Sequence, residues 1–124
     1  MKIALLGYGK MGKTIANLIE IQYPQHEITL YVNSENSDKI SIAQLATADV
    51  AIEFSTPETA YANILKAFEA NLPVVCGTTA WLSQLENVKN LCENGGKTFF
   101  YASNFSIGVN LSLIHISEPT RRNS

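Results

Sequence analysis

The first twelve residues hold this chain to very few folds. Lys2-Ile3-Ala4-Leu5-Leu6 is a short apolar run closed by glycine, which reads as a strand buried on both faces. Gly7-Tyr8-Gly9-Lys10-Met11-Gly12 follows at once and opens a helix from Lys13, with Ile15, Leu18, Ile19 and Gln22 at helical spacing. Strand, Gly-x-Gly-x-x-Gly and helix in that order form the dinucleotide-binding pattern. Gly7 suits the tight turn, Gly9 lets backbone approach a pyrophosphate, and Gly12 lets the helix pack close to the strand. The helix N-terminus adds free N–H groups and a partial positive charge, so the whole turn, with Tyr8, Lys10 and Met11, is a candidate cofactor contact. The same glycines also suit a turn that holds no ligand; their place directly after a strand favours the nucleotide.

Beyond the first helix the chain keeps alternating. Glu27–Val32 reads as a second strand, Val50–Phe54 as a third, Pro73–Cys76 as a fourth and Thr98–Ala102 as a fifth. A short helix is expected within Ile40–Ala48. Another spans Glu58–Ala70, with Thr56 as its N-cap, Pro57 at the first position, and Tyr61, Leu65 and Phe68 on one face. A further helix runs from about Ser83 to Glu93 and stops at Asn94-Gly95-Gly96. Such alternation predicts an α/β fold, a Rossmann-like doubly wound parallel sheet. Right-handed crossovers then place the loops at Gly7, Asn33, Ser55, Gly77 and Ser103 on one edge, where ligands of such sheets bind.

A net charge of −2 gives no electrostatic reason to expect nucleic acid or an anionic membrane as partner. No apolar run approaches the ~18 residues of a membrane span, and Met1-Lys2 leads straight into a strand, so a cytoplasmic protein is expected. Cys76 and Cys92 show neither metal spacing nor a disulfide framework and read as reduced, buried thiols. No metal site is expected.

Three loops carry the remaining chemistry. An acidic residue about 20 positions past the glycines commonly binds the adenosine ribose. Asn33 holds that place, 21 residues after Gly12, and the next basic residue is Lys39. An amide bonds a hydroxyl without repelling a 2′-phosphate, so NADH and NADPH both stay open; Asn33 also suits a simple turn. Gly77-Thr78-Thr79 offers backbone and two hydroxyls for the nicotinamide side, or forms an ordinary turn. Ser103–Asn110 alternates polar groups with Phe105, suited to bonding a carboxamide and packing a ring, or to plugging the core.

Taken together, these segments resemble the 4-hydroxy-tetrahydrodipicolinate reductases (dihydrodipicolinate reductases) of lysine and diaminopimelate biosynthesis. The resemblance rests on Gly7–Gly12, Glu53-Phe54-Ser55-Thr56-Pro57-Glu58, Val75-Cys76-Gly77-Thr78-Thr79 and Ala102–Asn110, in family order. It implies that the glycine loop and Ser55 contact the nucleotide, and that Gly77, Thr78 and Thr79 face its nicotinamide half. Ala102, Ser103, Asn104 and Phe105 would line the same pocket. The implied reaction is hydride transfer from NADH or NADPH to a cyclic imine dicarboxylate, in a family that assembles as homotetramers. Lys10 stands where the family often has Arg, and Asn33 where an acid is common.

The resemblance covers residues 1–110, expected as the dinucleotide-binding domain. Residues 111–124 read as a non-family, irregular tail joined near Leu111, in place of the helix and substrate domain that the family carries next. The His pair, Lys and Pro-Ser-Gly-Thr loop of that domain are not in these 124 residues, and His115 stands alone. The expectation is therefore a nucleotide-binding part truncated before the substrate domain, with no catalytic residue and no turnover of its own. Another NAD(P)-dependent dehydrogenase fragment and a non-catalytic nucleotide sensor are the alternatives.

Overall fold

Ile3, Ala4, Leu5 and Leu6 are all buried, as a strand flanked on both edges and covered on both faces must be, and they form β1 (Lys2–Leu6). The computed structural model describes residues 1–101 and 115–116. After β1 come α1 (Lys10–Gln22), β2 (Glu27–Val32), α2 (Ile42–Leu45), β3 (Val50–Glu53) and α3 (Pro57–Glu69). Then follow β4 (Val74–Cys76), α4 (Leu85–Gly95), β5 (Phe99–Tyr101) and β6 (His115–Ile116).

The sheet order is β2-β1-β3-β4-β5-β6, with the first five strands parallel and β6 antiparallel to β5. The Rossmann-like α/β class expected from the alternation is therefore the fold. Strand ends are level: Leu6 pairs with Val32 and Glu53, Glu53 with Cys76, and Cys76 with Tyr101. That register puts the loops after β1, β2, β3 and β4 on one edge. His115–Ile116 falls within the segment expected to be irregular, and pairs there with Phe100 and Tyr101.

Among the described residues two hydrophobic clusters sandwich the sheet. α1 contributes Ile15, Ala16 and Ile19 to a small one with Ile3 and Leu5. α2, α3 and α4 contribute Leu45, Ile64, Phe68, Val88 and Cys92 to a larger one with Ala4, Leu6, Val74 and Phe99. Helices on both faces make the sheet doubly wound. The core stripe of α3 is Ala60, Ile64, Ala67 and Phe68, with Tyr61 packed beside it. Leu65 is only half-buried, so the stripe sits about one residue round from the expected Tyr61–Leu65–Phe68 face.

Local signals set the helix ends. Thr56 caps α3 and Pro57 opens it. Ser41 and Gln44 close a capping box on α2, with the Gln44 amide 3.0 Å from Ser41 Oγ. α4 ends where Gly96 turns left-handed at φ +69°. Among the described residues no helix is long and apolar enough to cross a membrane.

Candidate nucleotide-binding site

The chain leaves β1 toward β2 on one side and returns to β3 on the other, so the loops after β1 and β3 diverge. Ligands of open α/β sheets bind at such a switch point. A cleft of about 480 Å³ lies there. Gly7, Tyr8, Gly9, Lys10 and Met11 form its α1 side, with Asn33 and Ser55 in the same wall system. The sequence pattern missed Ser34, Ser37, Thr56, Thr59 and Asn63, which line it as well. Thr56, Thr59 and Asn63 follow one another at helical spacing, a polar stripe that could have announced them. Lys10 is the only charged lining residue among the described ones. A smaller hollow of about 310 Å³ between α1 and β2, beside Ile19, Glu20 and His26, lies away from this edge.

The three glycines have three different reasons. Gly7 sits at φ +105°, and a Cβ there would run into the Phe54 carbonyl. Gly12 is buried, and a Cβ on it would strike the Gly7 carbonyl, so α1 packs onto the turn only without a side chain. Gly9 has neither constraint: its φ is −86°, and a Cβ would meet nothing within 4 Å. It is the N-cap of α1, without a side-chain cap. The N–H groups of Lys10, Met11 and Gly12 have no carbonyl partner inside the helix, and a helix N-terminus of this kind favours an anion.

Asn33 is both a turn residue and a cleft residue. Its Oδ1 accepts from the Glu35 and Asn36 amides at 2.8 and 2.9 Å, while its own N–H donates to Asn36 Oδ1 at 2.7 Å. Among the described residues the Asn33 amide nitrogen is left as the uncommitted donor.

On the other side of the cleft the polar groups turn inward. Glu53 is fully buried at the end of β3. Its carboxylate accepts from the Ser55 hydroxyl, the Thr78 hydroxyl at 2.6 Å, Asn63 Nδ2 at 3.1 Å and the Cys76 thiol at 3.3 Å. Four donors make a buried carboxylate tolerable where an unpaired one would cost several kcal/mol or more. Thr78 Oγ1 also accepts from the Ser55 amide at 2.8 Å, and its carbonyl accepts from Trp81 Nε1 at 2.6 Å. The Thr78 hydroxyl, expected to face a nicotinamide, thus braces the β3 and β4 loops from within. Gly77, Thr78 and Thr79 are not among the residues lining the described cleft. Ala102, Ser103, Asn104 and Phe105 lie outside the described residues.

Both cysteines are free and buried. Burial first, then the neighbouring Glu53, pushes the Cys76 thiol well above its ordinary range. The folded state therefore keeps a proton that the unfolded chain releases as pH passes the usual thiol range. Stability is expected to fall as pH rises through that range, a slope that Cys76→Ala should flatten in urea melts at increasing pH.

With this geometry in hand, comparison with known proteins decides the family. The family described as dihydrodipicolinate reductase, N-terminus, matches residues 1–105. The chain belongs to it. Within that family, the 4-hydroxy-tetrahydrodipicolinate reductase of Christiangramia forsetii is 42% identical over 113 residues, 90% of this chain and 45% of the relative. The protein of the same name from Staphylococcus saprophyticus is 38% identical over 117 residues, 88% of this chain and 46% of its own length. That of Staphylococcus carnosus is 32% identical over 128 residues, covering 96% and 50%. The chain spans about half the length of the curated relatives it matches.

Proposed function

We propose that this chain is the nucleotide-binding half of a 4-hydroxy-tetrahydrodipicolinate reductase and holds NADH or NADPH in the switch-point cleft. The observation that carries the reading is Gly9. Neither its backbone nor its packing requires glycine, yet it stands before the uncapped N-terminus of α1, where a pyrophosphate needs close approach to backbone N–H groups. Lys10 adds a positive charge, and no acidic side chain lines the described cleft. Asn33 reaches the ribose as a donor, which suits a hydroxyl or a 2′-phosphate oxygen alike.

The Gly77–Thr79 turn and residues 102–105 would then serve the nicotinamide side. Bound nicotinamide supplies the hydride for reduction of a cyclic imine dicarboxylate. The residues of this chain bind and orient the nucleotide, and none is assigned a catalytic role. Substrate handling and any tetrameric assembly belong to the whole reductase.

Trp81, the only tryptophan, gives a direct test because indole emission overlaps the absorption of reduced nicotinamide. Saturable quenching by NADH and NADPH is expected; no saturation up to millimolar nucleotide would overturn the reading. Asn33→Asp keeps both loop bonds, since a carboxylate accepts them equally, and brings a charge to the ribose. It should weaken NADPH relative to NADH by about tenfold, the size of a like-charge repulsion a few ångströms away in a partly solvated cleft. Unchanged relative affinity would place Asn33 away from the ribose.

A further inference from the structure

Behind the α3 side of the cleft runs a chain of hydrogen bonds whose direction is set at its buried end. A carboxylate only accepts, so Ser55 must donate its single hydroxyl proton to Glu53; the competing Thr56 carbonyl lies 3.4 Å away. Thr59 Oγ1, 2.8 Å from Ser55 Oγ, must then be the donor in that pair. This commits the Thr59 proton, the Thr56 carbonyl at 3.3 Å being the weaker choice. The hydroxyls of Thr56 and Thr59 are 2.9 Å apart, and either oxygen could donate if the pair stood alone. Here the bond runs from Thr56 to Thr59. Asn63 obeys the same rule: its Nδ2 donates inward to Glu53 and Ser55, at 3.1 and 3.2 Å, which leaves Oδ1 as its other heteroatom.

Thr56 and Asn63 line the cleft, and what each has left to offer is an acceptor. Facing them, the first turn of α1 offers N–H donors. We propose that Glu53 is a positioning residue which, acting through Ser55, Thr59 and Asn63, makes the α3 side an acceptor wall for the hydroxyl or amino donors of a nucleoside. The proposal rests on the nucleotide reading and adds which wall takes which half of the ligand. Phosphate oxygens, having no proton to give, find no donor in the Thr56 and Asn63 side chains and are directed to α1.

The test uses the 124-residue chain, with NADH binding read from Trp81. Glu53→Gln has the shape of glutamate but presents an amide donor to Ser55 or Thr78, which turns a hydroxyl round. Thr56→Val removes the outermost acceptor. Each should weaken NADH about tenfold, roughly one hydrogen bond's worth, and the double variant should be no weaker than the worse single. Thr56→Ser, which keeps the hydroxyl, should recover most of the affinity that Thr56→Val loses. In competition, adenosine should weaken in Glu53→Gln while inorganic pyrophosphate holds its affinity, a split that a merely loosened fold would not produce. Additive losses, or equal losses for both competitors, would overturn the proposal.

A ligand-free measurement separates the two layers. Proton NMR should show the Ser55 and Thr78 hydroxyl protons protected from exchange, and Glu53→Gln should release at least one. Unprotected hydroxyls in the parent chain overturn the polarity itself. Protected hydroxyls with no NADH binding overturn the ligand assignment together with the functional reading.

Discussion

Gly9→Leu is expected to leave the chain folded while lowering NADH affinity about a hundredfold or more. The folding half follows from what a side chain at this position would touch. A Cβ meets no protein atom within 4 Å, and the negative φ suits any L-residue. Surface substitutions of this kind change stability by about 0.5 kcal/mol or less. The binding half follows from the place of Gly9, which lines the cleft directly before the N–H groups that open α1. Each charge-assisted hydrogen bond contributes about 1.5–3 kcal/mol, so losing one or two gives a factor of about a hundred. Thermal melting and Trp81 quenching on the same sample check both halves. Unchanged NADH affinity would remove the glycine loop from the site.

Gly7→Ala is expected to do the reverse, striking the fold directly. At φ +105° an L-residue is strained by about 1–2 kcal/mol, and the new methyl must displace the Phe54 carbonyl for a further ~1–3 kcal/mol. A loss of about 3 kcal/mol is a large share of a small domain's stability and lowers its melting temperature by roughly ten degrees or more. Urea unfolding measures it. A loss below about 1 kcal/mol would mean that the turn relaxes at little cost. Two residues apart in the chain, one glycine is expected to answer to the fold and the other to the ligand.

What could be read from the sequence was what is encoded locally. The five parallel strands, the Thr56-Pro57 helix start and the Gly96 stop each rest on a few adjacent residues, and all appear in the structure. The glycine turn and Asn33 likewise fall into one cleft. Glu53 escaped because an acid after an apolar run looks like the solvated end of a strand. Its burial depends on Thr78, 25 positions later, and on Asn63 from the following helix. The same long-range bonds turn the Thr78 hydroxyl inward, where a local reading leaves it pointing outward. The pairing of His115–Ile116 with β5 had no local signal either, since an antiparallel edge is defined by its partner.

Among the described residues the sandwich is lopsided, and this governs how they breathe. Of these residues, eighteen buried ones join α2, α3 and α4 to their face of the sheet, against five on the face that α1 covers. Local opening follows anchorage, so amides of α1 should exchange with solvent before those of α3 at the same temperature. The proposed phosphate cradle is thus mounted on the more loosely held face. A nucleotide that seats only on the closed helix adds its binding energy to that closure, about 2.7 kcal/mol at a hundredfold excess over Kd. On the proposed reading the ligand is part of the structure that makes the protein rigid, and the slowing of α1 exchange on adding NADH would show how much of that rigidity is borrowed.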